Sequence, residues 1–154
     1  MEDGKRELGI DRIELSIPAH PLLLQLVRLT AGVVGARADL GLDDVEDLRL
    51  AVDELCLPFM STGGHGGRLL LRYTWDNDAI EISCILTTAD EGVGSGPGDG
   101  TAGKSSPRIS GQAERLRNEL SSQILEALVD EHGETTVEGR AAVWLRMRRA
   151  RRAS

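Results

Sequence analysis

From Arg12 to Pro18 the apolar residues Ile13, Leu15 and Ile17 alternate with more polar neighbours. That is the period of a strand with one buried face, and Pro18 ends it because proline donates nothing to a ladder. From Pro21 the spacing changes: Leu22, Leu23, Leu26, Val27, Thr30, Val33 and Val34 recur at helical intervals. They predict a helix that frays near Ala38 and ends by Gly41. A second helix is expected to begin with Asp43 as N-cap and Glu46 three residues on, a capping box whose acidic residues suit the positive end of the helix dipole. Its buried stripe is Val45, Leu48, Val52 and Leu55.

Past a glycine cluster (Gly63, Gly64, Gly66, Gly67), two alternating runs, Arg68 to Trp75 and Ala79 to Leu86, flank Asp76-Asn77-Asp78 and predict a hairpin. Asp90 to Pro107 carries six glycines between 92 and 103 and almost no large apolar residue. A mobile loop is expected there, and loops beyond about 12 to 15 residues inside compact domains are commonly lids or binding segments. Ala113, Leu116, Leu120, Ile124, Ala127 and Leu128 predict a third amphipathic helix, stopped by Gly133. Two short strands, Thr135 to Glu138 and Ala142 to Met147, turn at Gly139. Three helices with one apolar face each and a mixed, mostly antiparallel sheet pack most simply as an α+β two-layer sandwich.

A chain of 154 residues, 40% hydrophobic and 28% charged, has the size and composition of one globular domain and excludes a wholly disordered chain. The net charge of −7 is unevenly placed. Every Asp and Glu precedes Arg146, and arginines follow at 146, 148, 149, 151 and 152, so a body of 13 basic and 25 acidic residues carries a basic end. Such a body is not expected to bind nucleic acid directly, because phosphate neutralisation needs a basic face. Residues 150–154 are expected to form a solvated tail.

The longest apolar run, Leu22 to Val34, is interrupted by Gln25 and Arg28 and falls short of the roughly 20 residues a bilayer requires. With no signal pattern at the N-terminus, a cytoplasmic protein without membrane association is expected. Cys56 and Cys84 sit in apolar surroundings and read as buried reduced thiols, and His20, His65 and His132 lack ligand spacing, so no metal site is expected from them. Gly98 to Ser105 matches the phosphate-loop pattern, with Lys104 and Ser105 at its end. The strand and helix that such a loop needs on either side are absent from the pattern, so these residues read as flexible loop.

Val45-Glu46-Asp47-Leu48-Arg49-Leu50-Ala51-Val52-Asp53-Glu54-Leu55-Cys56 resembles a helix of the anti-sigma-factor serine kinases, the RsbW-like branch of the GHKL (Bergerat) ATPase superfamily. The opening strand Ile13 to Pro18, the helix containing Val27-Arg28-Leu29-Thr30, and Ala127-Leu128-Val129-Asp130 match the same family. The resemblance implies a single GHKL-type domain over 10–149, with a glycine-rich loop at 91–107. It also implies that Glu54 is the general base and that the residue four positions on, an Asn in the family, holds the magnesium ion of ATP. One helical turn puts both side chains into one cleft. Here that position is Pro58, which offers no side-chain oxygen.

Asp90-Glu91-Gly92-Val93-Gly94 fits the family's adenine box, which makes Asp90, Gly92 and Gly94 the nucleotide contacts. The next glycine-rich element falls at Glu119-Leu120-Ser121-Ser122 without glycine, with Glu119 carrying negative charge toward the phosphates, and the Gly-Thr pair before the last strand is Arg140-Ala141. Asp53 reads as the end of a surface ladder with Glu46 and Arg49. The implied function is an anti-sigma-factor-like regulator with an impaired site for ATP and magnesium. It would sequester an alternative sigma factor, answer to an anti-anti-sigma factor and form a homodimer. The alternative is an active serine kinase that phosphorylates the anti-anti-sigma factor.

Overall fold

The structure is a computed structural model that describes residues 12–62, 67–87 and 110–149. Strand β1 (Arg12–Pro18) leads through a short 3-10 turn at Pro21–Leu23 into helix α1 (Leu24–Arg37) and helix α2 (Leu42–Thr62). Strands β2 (Arg68–Trp75) and β3 (Ala79–Thr87) precede helix α3 (Ser110–Leu128), and β4 (Glu131–Val137) and β5 (Arg140–Arg148) close the described chain. The five strands form one sheet in the order β1-β2-β3-β5-β4. Every pairing in it is antiparallel, which corrects the mixed sheet expected from sequence. Strands β3 and β4 run in the same direction on either side of α3, but β5 lies between them, so no neighbouring pair is parallel.

The register brings Leu15, Leu71, Cys84 and Val143 into one row across four strands, and Tyr73, Ile82 and Leu145 into the next. Because side chains alternate, these rows share one face of the sheet. The three helices cover that face: α1 lies over β2, α2 over β3 and β5, and α3 beside β4. The core between the layers includes Val27, Ala31 and Val34 of α1 and Leu48, Val52, Leu55 and Cys56 of α2. The Tyr73 hydroxyl donates to the Val27 carbonyl at 3.1 Å, so the largest fully buried side chain also ties α1 to the sheet. Burial pushes the Tyr73 phenol far above its usual range.

Helix α1 ends by a Schellman turn. Asp39 takes φ 58°, the Leu40 N–H reaches the Gly35 carbonyl at 3.0 Å, and Asp39 N–H reaches Ala36 at 3.2 Å. Helix α2 begins at Leu42, with the Gly41 carbonyl accepting from Val45 N–H at 3.0 Å. Asp43 is therefore inside the first turn with Asp44 rather than the N-cap, and both still face the positive end of the dipole. Pro58 lies inside α2, which continues to Thr62. Buried Phe59 and Met60 anchor the last turns despite the missing N–H. The last hairpin turns through Glu138 (φ 52°) and Gly139 (φ 78°), two positive φ values that place the turn where the sequence did.

Two helices present other faces than their sequence pattern suggests. In α1, Val27 and Val34 are buried, whereas Leu26, Leu29 and Val33 are exposed, as is Leu22 in the turn before it. In α3, Leu116, Leu120 and Ile124 are 58%, 60% and 41% exposed, and Ser121 and Leu125 face inward. Gly133 does not stop α3. It sits within β4 opposite Trp144, whose ring atoms lie 3.2 Å from where a Cβ would be, and the chain leaves the helix earlier, after Leu128. Strand β4 is correspondingly longer at its start than expected.

Candidate functional site

Glu54 lies on α2 one turn before Pro58, and the i, i+4 spacing carries both to the same side of the helix. They line a cleft of about 220 Å³ whose other walls are α3 and the β4–β5 edge of the sheet. The expected neighbourhood of residues 54 and 58 is thus present as a concavity.

From α3 the cleft receives Asn118, Ser121 and Ser122. Positions 118, 121 and 125 share one helical face, on which Ser121 and Leu125 are buried and Asn118 is exposed at the rim. The Ser121 hydroxyl donates to Glu54 Oε2 at 2.9 Å. Ser121 is 5% exposed and is the buried polar side chain of the described core. Among the described residues no buried side-chain nitrogen or oxygen lacks a partner, so this bond offsets the cost of placing a hydroxyl there. His132 and Glu134 contribute from β4, while Leu55, Leu125 and Val143 form an apolar floor.

Among the described lining residues the charge is one-signed. Glu54 and Glu134 line the cleft, and none of the described lining residues is Lys or Arg. Glu119 is exposed on α3 and is not among the described residues that line the cleft. Arg140 opens β5 as the partner of Val137, outside the cleft. Among the described residues no group of three His, Cys, Asp or Glu side chains is arranged to hold a metal ion. Asp90, Gly92 and Gly94 lie outside the described residues, as do Lys104, Ser105, His65, the 91–107 loop and the 150–154 tail.

Asp53 points the other way. Its carboxylate meets Arg28 Nε of α1 at 2.7 Å, while Arg49 pairs with Glu46 at 3.1 Å. The expected ladder along α2 therefore stops at Arg49, and Asp53 instead bridges two helices. Burial raises the Asp53 pKa, and Arg28 opposes it with the smaller effect. Cys56 and Cys84 are free and buried, as read from sequence. Their Sγ atoms are 3.9 Å apart, a proximity that spacing in the chain gave no sign of. Asn118, His132 and Glu134 were also missed as cleft residues, whereas Ser121 and Ser122 fall in the segment expected to border the site. The 118, 121, 125 period was there to be seen, but the stronger apolar period beside it masked it.

None of the helices formed by the described residues is long and apolar enough to cross a membrane. No family model matches the chain. Curated relatives do. The anti-sigma-F factor RsbW of Mycobacterium tuberculosis is 45% identical over 87 residues, covering 55% of this chain and 52% of that protein. The serine-protein kinase RsbW of Bacillus velezensis is 34% identical over 87 residues (54% and 52%), and that of Bacillus subtilis 32% over 85 residues (53% and 51%). The chain spans about half the length of the curated relatives it matches. The likeness to RsbW-type proteins read from the α2 segment is borne out, and the α+β two-layer architecture agrees with it.

Proposed function

We propose that this chain is an anti-sigma-factor-like regulator of transcription that sequesters an alternative sigma factor and is released by an anti-anti-sigma factor. The names of its relatives, anti-sigma-F factor and serine-protein kinase, motivate the class. One observation favours sequestration over phosphoryl transfer: Glu54 lines the cleft, and the residue one turn on, in the same cleft, is Pro58. A magnesium ion bridging ATP phosphates needs hard oxygen ligands, and proline has none on its side chain. With two carboxylates and no basic side chain among the described lining residues, the cleft fits a polyphosphate poorly. The impaired site leaves occlusion as the mechanism. The protein covers a sigma surface that RNA polymerase requires, and an acidic body favours basic partner patches.

In this reading residues 10–149 act as one domain in the cytoplasm, paired as a homodimer. Asp90, Gly92 and Gly94 are its remnant nucleotide contacts. A second reading, an active serine kinase, draws on the Ser121–Glu54 bond: the carboxylate already accepts from a serine hydroxyl at 2.9 Å, as a general base would from a substrate. Asn118 lines the same cleft and carries the amide that position 58 lacks.

Two measurements separate the readings. Affinity purification of the chain from its native host recovers a sigma factor under the first reading. A thermal-shift titration with ATP, with and without magnesium, shows no magnesium-dependent shift. Under the kinase reading, ATP at 100 times its dissociation constant stabilises the fold by about 2.7 kcal/mol. Glu54→Ala, Asn118→Ala and Asp90→Ala then each reduce that shift, and this outcome would overturn the first reading.

A further inference from the structure

Cys56 on α2 and Cys84 on the central strand β3 are fully buried, and their sulfurs face each other at 3.9 Å across the seam between the two layers. Neither thiol lines the cleft. Two sulfurs already in contact need only side-chain rotation and a small backbone adjustment to reach the roughly 2.05 Å of a disulfide. In the closed state the pair is inert, because its mutual contact and burial push the Cys56 thiol up and away from the reactive thiolate.

Access comes from the helix itself. Pro58 has no N–H to give the Glu54 carbonyl, so the helical bond that would span Cys56 does not form. The last turns of α2 are held by the packing of Phe59 and Met60 without that bond, and opening them uncovers Cys56. We propose that Cys56 and Cys84 form a reversible redox latch: hydroperoxides reach the pair when the end of α2 opens, and the resulting disulfide fastens that end to β3.

The chemistry balances with hydrogen peroxide as oxidant. One thiolate attacks a peroxide oxygen to give a sulfenic acid and water. The other sulfur then displaces the hydroxyl, so two thiols and one peroxide yield one disulfide and two waters. A dithiol reductant reverses it by exchange. The latch grips the helix that carries Glu54 and Pro58, so it sets the shape of the cleft wall whatever the cleft binds.

The test treats the full chain with hydrogen peroxide and follows mass, thiol content and amide exchange. The expected product is lighter by about two mass units, has no alkylatable thiol when denatured, yields a peptide pair joining Cys56 to Cys84, and reverts with dithiothreitol. Amide exchange in the last turns of α2 slows in the oxidised form, and Pro58→Ala, which restores the N–H, forms the disulfide several-fold more slowly. Added oxygen atoms in place of the cross-link, two persistently free thiols, disulfides between chains, unchanged exchange, or an undiminished rate in Pro58→Ala each overturn the proposal.

Discussion

At the β2–β3 hairpin the Asp76 carboxylate accepts from the backbone N–H of Asp78 at 2.8 Å and of Ala79 at 2.9 Å. These two bonds hold its pKa below the ordinary carboxylate value. A depressed folded-state pKa contributes stability that is present above the unfolded value of about 3.9 and is lost as pH falls through the folded one. Asp76→Ala is therefore expected to lower stability by about 1 kcal/mol at neutral pH, with the difference from the parent shrinking in acid. Urea unfolding at a series of pH values checks both. Asp53 has the opposite sign: burial raises its pKa, so its contribution is complete below the unfolded value and fades as pH rises through the folded one. Both residues stood out in the sequence, Asp76 as turn chemistry and Asp53 as part of a ladder. Only Asp76 was read correctly, because its partners are two and three residues away, whereas Arg28 is on another helix.

Among the elements, α1 packs tightly on α2 at Gly35. An added Cβ there would lie 3.0 Å from Val45 Cγ2, with Leu40 and Leu48 side chains next nearest. Gly35→Ala is expected to push α1 from α2 and to destabilise by about 1 to 3 kcal/mol, measured by denaturant midpoint. The gain in helix propensity, about 1 kcal/mol, only partly offsets this. The strands were legible because a period of two leaves a single choice of face once one row is apolar. The helices were legible as helices and less so in their rotation. In α1, apolar residues run all round, and the pattern cannot say that 27, 31 and 34 win the core over 26, 29 and 33. In α3, the inward face is held partly by Ser121, whose partner Glu54 is 67 residues distant.

Seen as a whole, the molecule has an outer helix row of Leu26, Leu29 and Val33 on the exposed side of α1. The spacing of three and four is that of a coiled-coil seam. Within the proposed homodimer this row is the surface best suited to a second copy. Leu29→Arg is then expected to give a monomer in sedimentation analysis while changing the unfolding free energy of the chain by no more than about 0.5 kcal/mol, as for other exposed positions. A dimer that survives the substitution assigns the contact elsewhere. The described basic residues near the C-terminus are not merely solvated: Arg148 N–H donates to Asp130, and Arg149 reaches Asp39 and the hairpin carbonyls of Asp76 and Asn77.

The sequence alone determined the elements, their order, the two-layer architecture and the helix on which Glu54 and Pro58 stand one turn apart. Each of these follows from local periodicity, turn residues and fixed helical spacing. Tertiary structure decided which face of α1 and α3 is buried, that Asp53 bridges to Arg28, that Ser121 meets Glu54, and that two cysteines 28 positions apart touch. Those outcomes depend on which distant side chains share the limited volume between helices and sheet. No local pattern encodes that competition.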